Sequence, residues 1–196
     1  ESKRLRFQVE KVLQMSMFDN SSSSLKFTEV DANSIIENVI HTFKIKVEKY
    51  GGSITCNLDA ENAIVNVDEM HFTNIIYNLL DNAVKYMNED TEPHLNITTR
   101  DIDGSRLEIR VSDNGIGIKR EDLKKIFEKF YRVSTGNRHD VKGFGLGLAY
   151  VKKMVTIFEG SINVESEPGK GSTFIIELPL STEDDFDSEY HPDSEN

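Results

Sequence analysis

Apolar residues recur along the chain with two different periods, and the changes of period divide it into elements. At the start, Leu5, Val9, Val12, Leu13 and Met17 fall on one side of a helix with Ser16, while lysines and arginines lie elsewhere. Such a stripe needs a partner. The run "NSSSS" at 20–24 breaks the pattern as a polar linker. "LKFTEV" then reads as a strand, and Asp31 suits the cap of a helix carrying Ala32, Ile36, Val39 and Phe43, which the glycines at 51 and 52 stop. Short strands are expected at 54–58 and 64–67. A second helix over about 69–87 gathers Phe72, Ile75, Ile76, Leu79, Leu80 and Ala83 on one side. "HLNITT" and "RLEIRVSD" are strands separated by Asp103-Gly104, a hairpin signal. A third helix begins near Gly147 with Leu148, Val151, Met154, Val155 and Phe158 on its apolar side, and "SINVES" and "STFIIELPL" flank a last glycine turn. The expected architecture is α+β, with a sheet largely antiparallel at its later end and helices on one face.

Composition narrows this picture. A chain of 196 residues holds one buried domain plus appendages. The net charge of -11 argues against a general affinity for nucleic acid, so any phosphate-binding patch must be local. No run approaches the ~20 apolar residues that cross a bilayer, and no secretory signal stands at Glu1. Cys56, the single cysteine, excludes an internal disulfide and favours a reducing compartment; its alternation with Ile54 and Leu58 predicts a small core residue. Residues 181–196 contain no Lys or Arg and read as a solvated, disordered acidic tail.

Three clusters carry candidate chemistry. Asn74, Asn78, Asn82 and Lys85 recur at helical spacing opposite the apolar side of the second helix. Amide oxygens are neutral hard ligands suited to Mg²⁺, although a solvent-facing helix edge would look the same. Asp113 ends a strand ahead of Gly115 and Gly117, where bare backbone lets a ligand approach and the carboxylate could accept from an exocyclic amine such as that of adenine; Asp-Asn-Gly is also an everyday turn. Gly143, Gly145 and Gly147 precede the third helix, presenting unpaired N–H groups and the positive dipole end to which phosphate binds. This is neither a Walker loop nor a dinucleotide fingerprint, because no Gly-Lys-Ser/Thr follows and the glycine spacing is wrong. The polar stretch 131–142, with Arg132, Arg138 and Lys142, could close over phosphates or be an ordinary surface loop. Gly169 and Gly171 lead into Ser172-Thr173-Phe174, a hairpin whose hydroxyls could meet a base.

In order, the clusters resemble the ATP-binding domain of sensor histidine kinases, the kinase branch of the Bergerat-fold superfamily that includes gyrase, the Hsp90 chaperones and MutL. "NIIYNLLDNAVKY" is similar to the N box, "DNGIGI" to the first glycine box, "FEKFYR" to the F box, "GFGLGL" to the second glycine box and "GKGSTF" to the last. The resemblance covers 25–180 and implies a mixed sheet of about five strands with three helices on one face. It implies that Asn82 is the principal Mg²⁺ ligand, with Asn78 beside metal and phosphates, and that Lys85 and Arg132 contact phosphate oxygens. Tyr86 would lie against the nucleotide, and Asp113 would bind the adenine amine in a pocket lined by Gly115, Gly117 and Ile118. Gly143, Gly145, Leu146, Gly147 and Leu148 would follow the phosphates, Phe127 and Phe130 would anchor a lid, and Thr173 would support the base through water.

ATP-hydrolysing members of the superfamily carry a glutamate where this chain has Asn78, and an amide takes no proton at neutral pH. Asn78, Lys85 and Arg132 are therefore expected to serve transfer of the γ-phosphoryl group to a histidine, not hydrolysis. His41, His71, His94, His139 and His191 all lack an acceptor motif. Residues 1–19 resemble the end of the second helix of a dimerisation hairpin, which implies that the acceptor lies on a missing segment. The implied partners are that hairpin and a response-regulator receiver domain. The parent is expected to be a homodimer, with this domain on the cytoplasmic side of a possible membrane anchor. The rival readings are a nucleotide-binding module without phosphoryl transfer and an ATP-hydrolysing clamp.

Overall fold

The computed structural model describes residues 2–133 and 143–182. Among these, α1 (Ser2–Asn20) precedes β1 (Phe27–Asp31), α2 (Ala32–Glu48), β2 (Ser53–Leu58), β3 (Ile64–Asp68), α3 (Glu69–Lys85), β4 (His94–Ile102) and β5 (Arg106–Asp113). The chain continues through α4 (Gly147–Ile157), β6 (Ser161–Glu167) and β7 (Gly171–Pro179). The main sheet is mixed and has the order β2-β4-β5-β7-β6; β2 runs parallel to β4, and every other neighbouring pair is antiparallel.

Each strand alternates as its sequence requires. Leu95 and Ile97 on β4, Leu107, Ile109 and Val111 on β5, and Phe174, Ile176 and Leu178 on β7 are buried in one core with the apolar sides of α2, α3 and α4. The opposite sheet face carries charge: Arg100 donates from Nε to Glu108 at 2.7 Å, and Arg110 reaches Glu165 at 2.9 Å. The β4–β5 turn has the chemistry its sequence announces, since Asp103 and Gly104 both adopt positive φ, 52° and 65°.

The strands β1 and β3 pair only with each other, antiparallel, outside the main sheet. Each delivers an aspartate to the start of a helix. Asp31 accepts from Asn33 N–H at 3.0 Å, and Asp68 accepts from His71 N–H at 3.1 Å and from Lys26 N–H at 2.8 Å. Burial opposes the charge on Asp68, but the donors from Lys26 and His71 outweigh it and hold the carboxyl below its ordinary range.

Two expectations change. Cys56 is exposed, because β2 is an edge strand and only Ile54 and Leu58 on that side pack against the core. The stripe on α1 finds no cover among the described residues: Leu5, Val9, Val12, Leu13 and Met17 are all at least half exposed. Its last turn is anchored nevertheless. Phe18 is buried against Leu146 and Ala149, with Lys129 and Lys153 over its ring at 4.5 and 4.8 Å, and Lys153 donates to the Phe18 carbonyl at 2.7 Å. Among the described residues, no helix is long and apolar enough to cross a membrane.

Candidate active site

A single cleft runs between the polar side of α3 and the start of α4, and its two ends differ in chemistry. The narrow end is lined by Ala83, Asp113, Ile116, Gly117, Ile118 and Phe174, and the wide end by Asn74, Asn78, Asp81, Lys85 and the backbone from Gly143 to Gly147. Asn82, Tyr86, Arg132 and Leu148 border both. The spacing of four along α3 is what sets Asn74, Asn78 and Asn82 in a row here, while Ile75, Ile76, Leu79 and Leu80 of the same helix fill the core.

Among the described residues, Asp113 is the one carboxylate at the narrow end. It closes β5, and its backbone is pressed by β7, since a Cβ on Gly171 would collide with the Asp113 carbonyl. Burial pushes its carboxyl up to about 6, against the opposing donors of Gly115 and Ser172 N–H. The following turn is stapled at several points. Ile116 N–H donates to the Tyr86 carbonyl at 3.0 Å, Gly169 N–H to the Ile116 carbonyl at 2.8 Å, and Ile118 N–H to Ser166 Oγ at 2.8 Å. This explains the glycines. A Cβ on Gly115 would strike the Tyr86 carbonyl, and one on Gly117, where φ is 69°, would lie 2.7 Å from the Glu167 carbonyl carbon. Gly117→Ala is accordingly expected to cost about 2 kcal/mol or more in chemical denaturation.

At the wide end, α4 starts at Gly147 with no side-chain cap, so the first N–H groups of the helix are offered to the cleft. The approach is held by Phe130, at φ 65°, whose N–H donates to the Gly145 carbonyl at 2.9 Å. Asn78 Nδ2 donates to the Asn74 carbonyl at 2.7 Å, and its Oδ1 lies 3.1 Å from the point a Gly147 Cβ would occupy. Phe130 belongs to the Phe18–Leu146 cluster, while Phe127 meets Phe174 edge-on at 6.4 Å. Arg138, Lys142, His139, His191 and most of the expected lid and tail lie outside the described residues.

One expected residue points elsewhere. Thr173 pairs through Oγ1 with Ser112 Oγ at 2.9 Å, whereas its neighbours Ser172 and Phe174 line the narrow end, as the alternation of β7 demands. Residues not anticipated are Ile126 and Tyr131, which border both ends, Val133 at the narrow end, and Asp81, Tyr150 and His71 at the wide end. The Tyr131 hydroxyl donates to Asp122, and that bond pushes it up to about 12. His71 Nδ1 and Tyr150 Oη are 2.6 Å apart, which joins α3 to α4.

Residues 67–182 match the model of the histidine kinase-, DNA gyrase B- and HSP90-like ATPase family. Over 180 residues the chain is 60% identical to the sensor protein RprX of Bacteroides fragilis, covering 92% of this chain and 34% of the relative. It is 32% identical to the sensor histidine kinase WalK of Bacillus subtilis over 189 residues, 95% of this chain and 31% of WalK. The chain thus spans about a third of the length of these relatives. Among solved structures, the catalytic domain of histidine kinase ThkA superposes with a TM-score of 0.69 at 28% identity, covering 81% of this chain and all of that one. Full-length ShkA in complex with AMPPNP superposes with 0.75 at 26% identity, covering 91% and 36%. With the five-stranded mixed sheet and the asparagine-lined cleft already described, these matches establish that the chain belongs to the histidine kinase-, gyrase B- and HSP90-like ATPase family, as an ATP-binding catalytic domain of the sensor histidine kinase type.

Proposed function

We propose that the chain binds ATP with Mg²⁺ and transfers the γ-phosphoryl group to a histidine on a dimerisation hairpin, for relay to an aspartate of a response-regulator receiver domain. The observation that carries this is the wide end of the cleft, where the position of a water-activating carboxylate is held by Asn78 beside the uncapped start of α4. Asn78 and Asn82 orient the polyphosphate but cannot remove a proton from water. Asp113 accepts the adenine amine, Tyr86 and Leu148 flank the nucleotide, and Lys85 and Arg132 supply positive charge near the phosphates.

The donor set fits Mg²⁺. Asn82 stands where the two ends of the cleft meet, and its amide oxygen is a hard neutral ligand. Bound there, Mg²⁺ would neutralise developing charge on the phosphates. ShkA was solved with AMPPNP and ThkA with the response regulator TrrA, which supports a triphosphate ligand and a receiver-domain partner for this chain too. The exposed stripe on α1 suits residues 1–19 as part of the hairpin, with 20–24 as the linker, 25–180 as the catalytic domain and 181–196 as an acidic tail. A homodimeric, membrane-anchored parent with this domain in the cytoplasm follows from the same reading.

The test mixes the chain with an acceptor-bearing hairpin fragment of an RprX-like kinase and γ-labelled ATP. Acid-labile, alkali-stable label on the hairpin is the expected result. Nucleotide binding without label would instead favour the regulatory module, and label released as free phosphate would favour the clamp.

A further inference from the structure

Lys85 is already engaged in this structure. Its ammonium sits 2.7 Å from Asp81 Oδ2, one helical turn back on α3, while the other oxygen of Asp81 accepts from Lys46 of α2 at 2.6 Å. Lys46 is itself held over the rings of Phe43 and Tyr77, at 5.2 and 5.9 Å. One carboxylate, 17% exposed, therefore serves two ammonium groups from two helices. Burial opposes the charges of Asp81 and Lys46, but their hydrogen bond and mutual attraction prevail and keep both ionised. Asp81 and Lys85 both line the wide end of the cleft, and Lys85 Nζ lies 3.7 Å from the point a Gly143 Cβ would occupy, beside the glycine stretch.

We propose that Asp81 is a positioning residue that holds Lys85 back from the phosphates, and that Lys46 is the counter-ion that lets Lys85 leave. This rests on the nucleotide reading of the cleft. An arriving polyphosphate competes with Asp81 for the Lys85 ammonium. Stripping the only partner from a half-buried carboxylate would be expensive, but Asp81 keeps Lys46 when Lys85 swings away. Asp81 thus lowers affinity for the charged tail of the nucleotide, Lys46 limits that loss, and neither touches the base. The two substitutions must then act in opposite directions.

Calorimetry with Mg²⁺ and a non-hydrolysable ATP analogue tests this on the full chain, with an NMR titration of adenosine as the control for folding and base binding. Asp81→Asn is expected to tighten the triphosphate about 3–10-fold, and Lys46→Met to weaken it by a similar factor, the range set by ion pairs of intermediate exposure. Adenosine affinity stays unchanged in both, Asp81→Glu restores wild-type behaviour, and in a Lys85→Met background the effect of Asp81→Asn shrinks to under about twofold. Weaker or unchanged triphosphate binding by Asp81→Asn would overturn the proposal, as would equal shifts for adenosine. So would a full effect persisting without Lys85, which would mean direct repulsion of the phosphates. A wild-type chain that binds neither ligand would instead overturn the nucleotide reading, and this inference with it.

Discussion

Asp113→Asn is expected to raise the thermal stability of the nucleotide-free chain at pH 8 while removing most of its affinity for adenine nucleotides. The folded chain keeps this carboxyl protonated up to about pH 6, whereas the unfolded chain releases the proton near 3.8. Between those values the folded state binds more protons, so stability falls as pH rises, and the whole penalty is present above about 6. The interval corresponds to at most roughly 3 kcal/mol, of which a gain of about 1–2 kcal/mol is expected because the amide accepts less strongly from Gly115 and Ser172 N–H. Near pH 4 wild type should melt above the variant, the two curves should cross between pH 4 and 6, and beyond pH 6 the variant should lead by a constant margin. Calorimetry should show adenine-nucleotide affinity down by about 10–100-fold, the worth of a hydrogen bond to a charged group. A variant less stable than wild type at pH 8, or one that binds as well, would remove Asp113 from the base pocket.

Asn82→Ala should have the larger effect on chemistry. It deletes the amide oxygen where the two ends of the cleft meet and leaves Asp113 at the narrow end untouched. Transfer to an acceptor hairpin is expected to fall by about 100-fold or more, on the scale of losing one preorganised electrostatic group, with adenosine affinity unchanged. Chelating the divalent cation should abolish transfer in wild type and change the variant little further. If chelation still costs the variant its full activity, the metal is held by other residues.

Much of this site was legible in the sequence because it is local. Asn74, Asn78 and Asn82 share an edge of one helix, Asp113 stands two residues before Gly115, and the second glycine run adjoins the helix it opens. The strands of β4, β5 and β7 announce themselves by alternation, and Asp103-Gly104 by its turn chemistry. What escaped is whatever depends on neighbours far along the chain. The pairing of β1 with β3 outside the main sheet is not encoded in either strand alone. Lys46 and Asp81 meet only because α2 packs beside α3, and Phe18 finds its seat against Leu146 only through the tertiary fold. Cys56 went wrong for the same reason: alternation gives a side, but a strand at the sheet margin need not be covered on that side. Thr173 meets Ser112 while Ser172 and Phe174 line the narrow end, because strand pleating turns a step of one residue into the opposite face.

That margin has a practical side. The chain has one thiol, it is solvent-accessible, and β2 contributes no residue to the cleft. A maleimide dye or nitroxide should therefore attach at a single known position in the unaltered protein and report on tumbling or proximity without disturbing ligand capture.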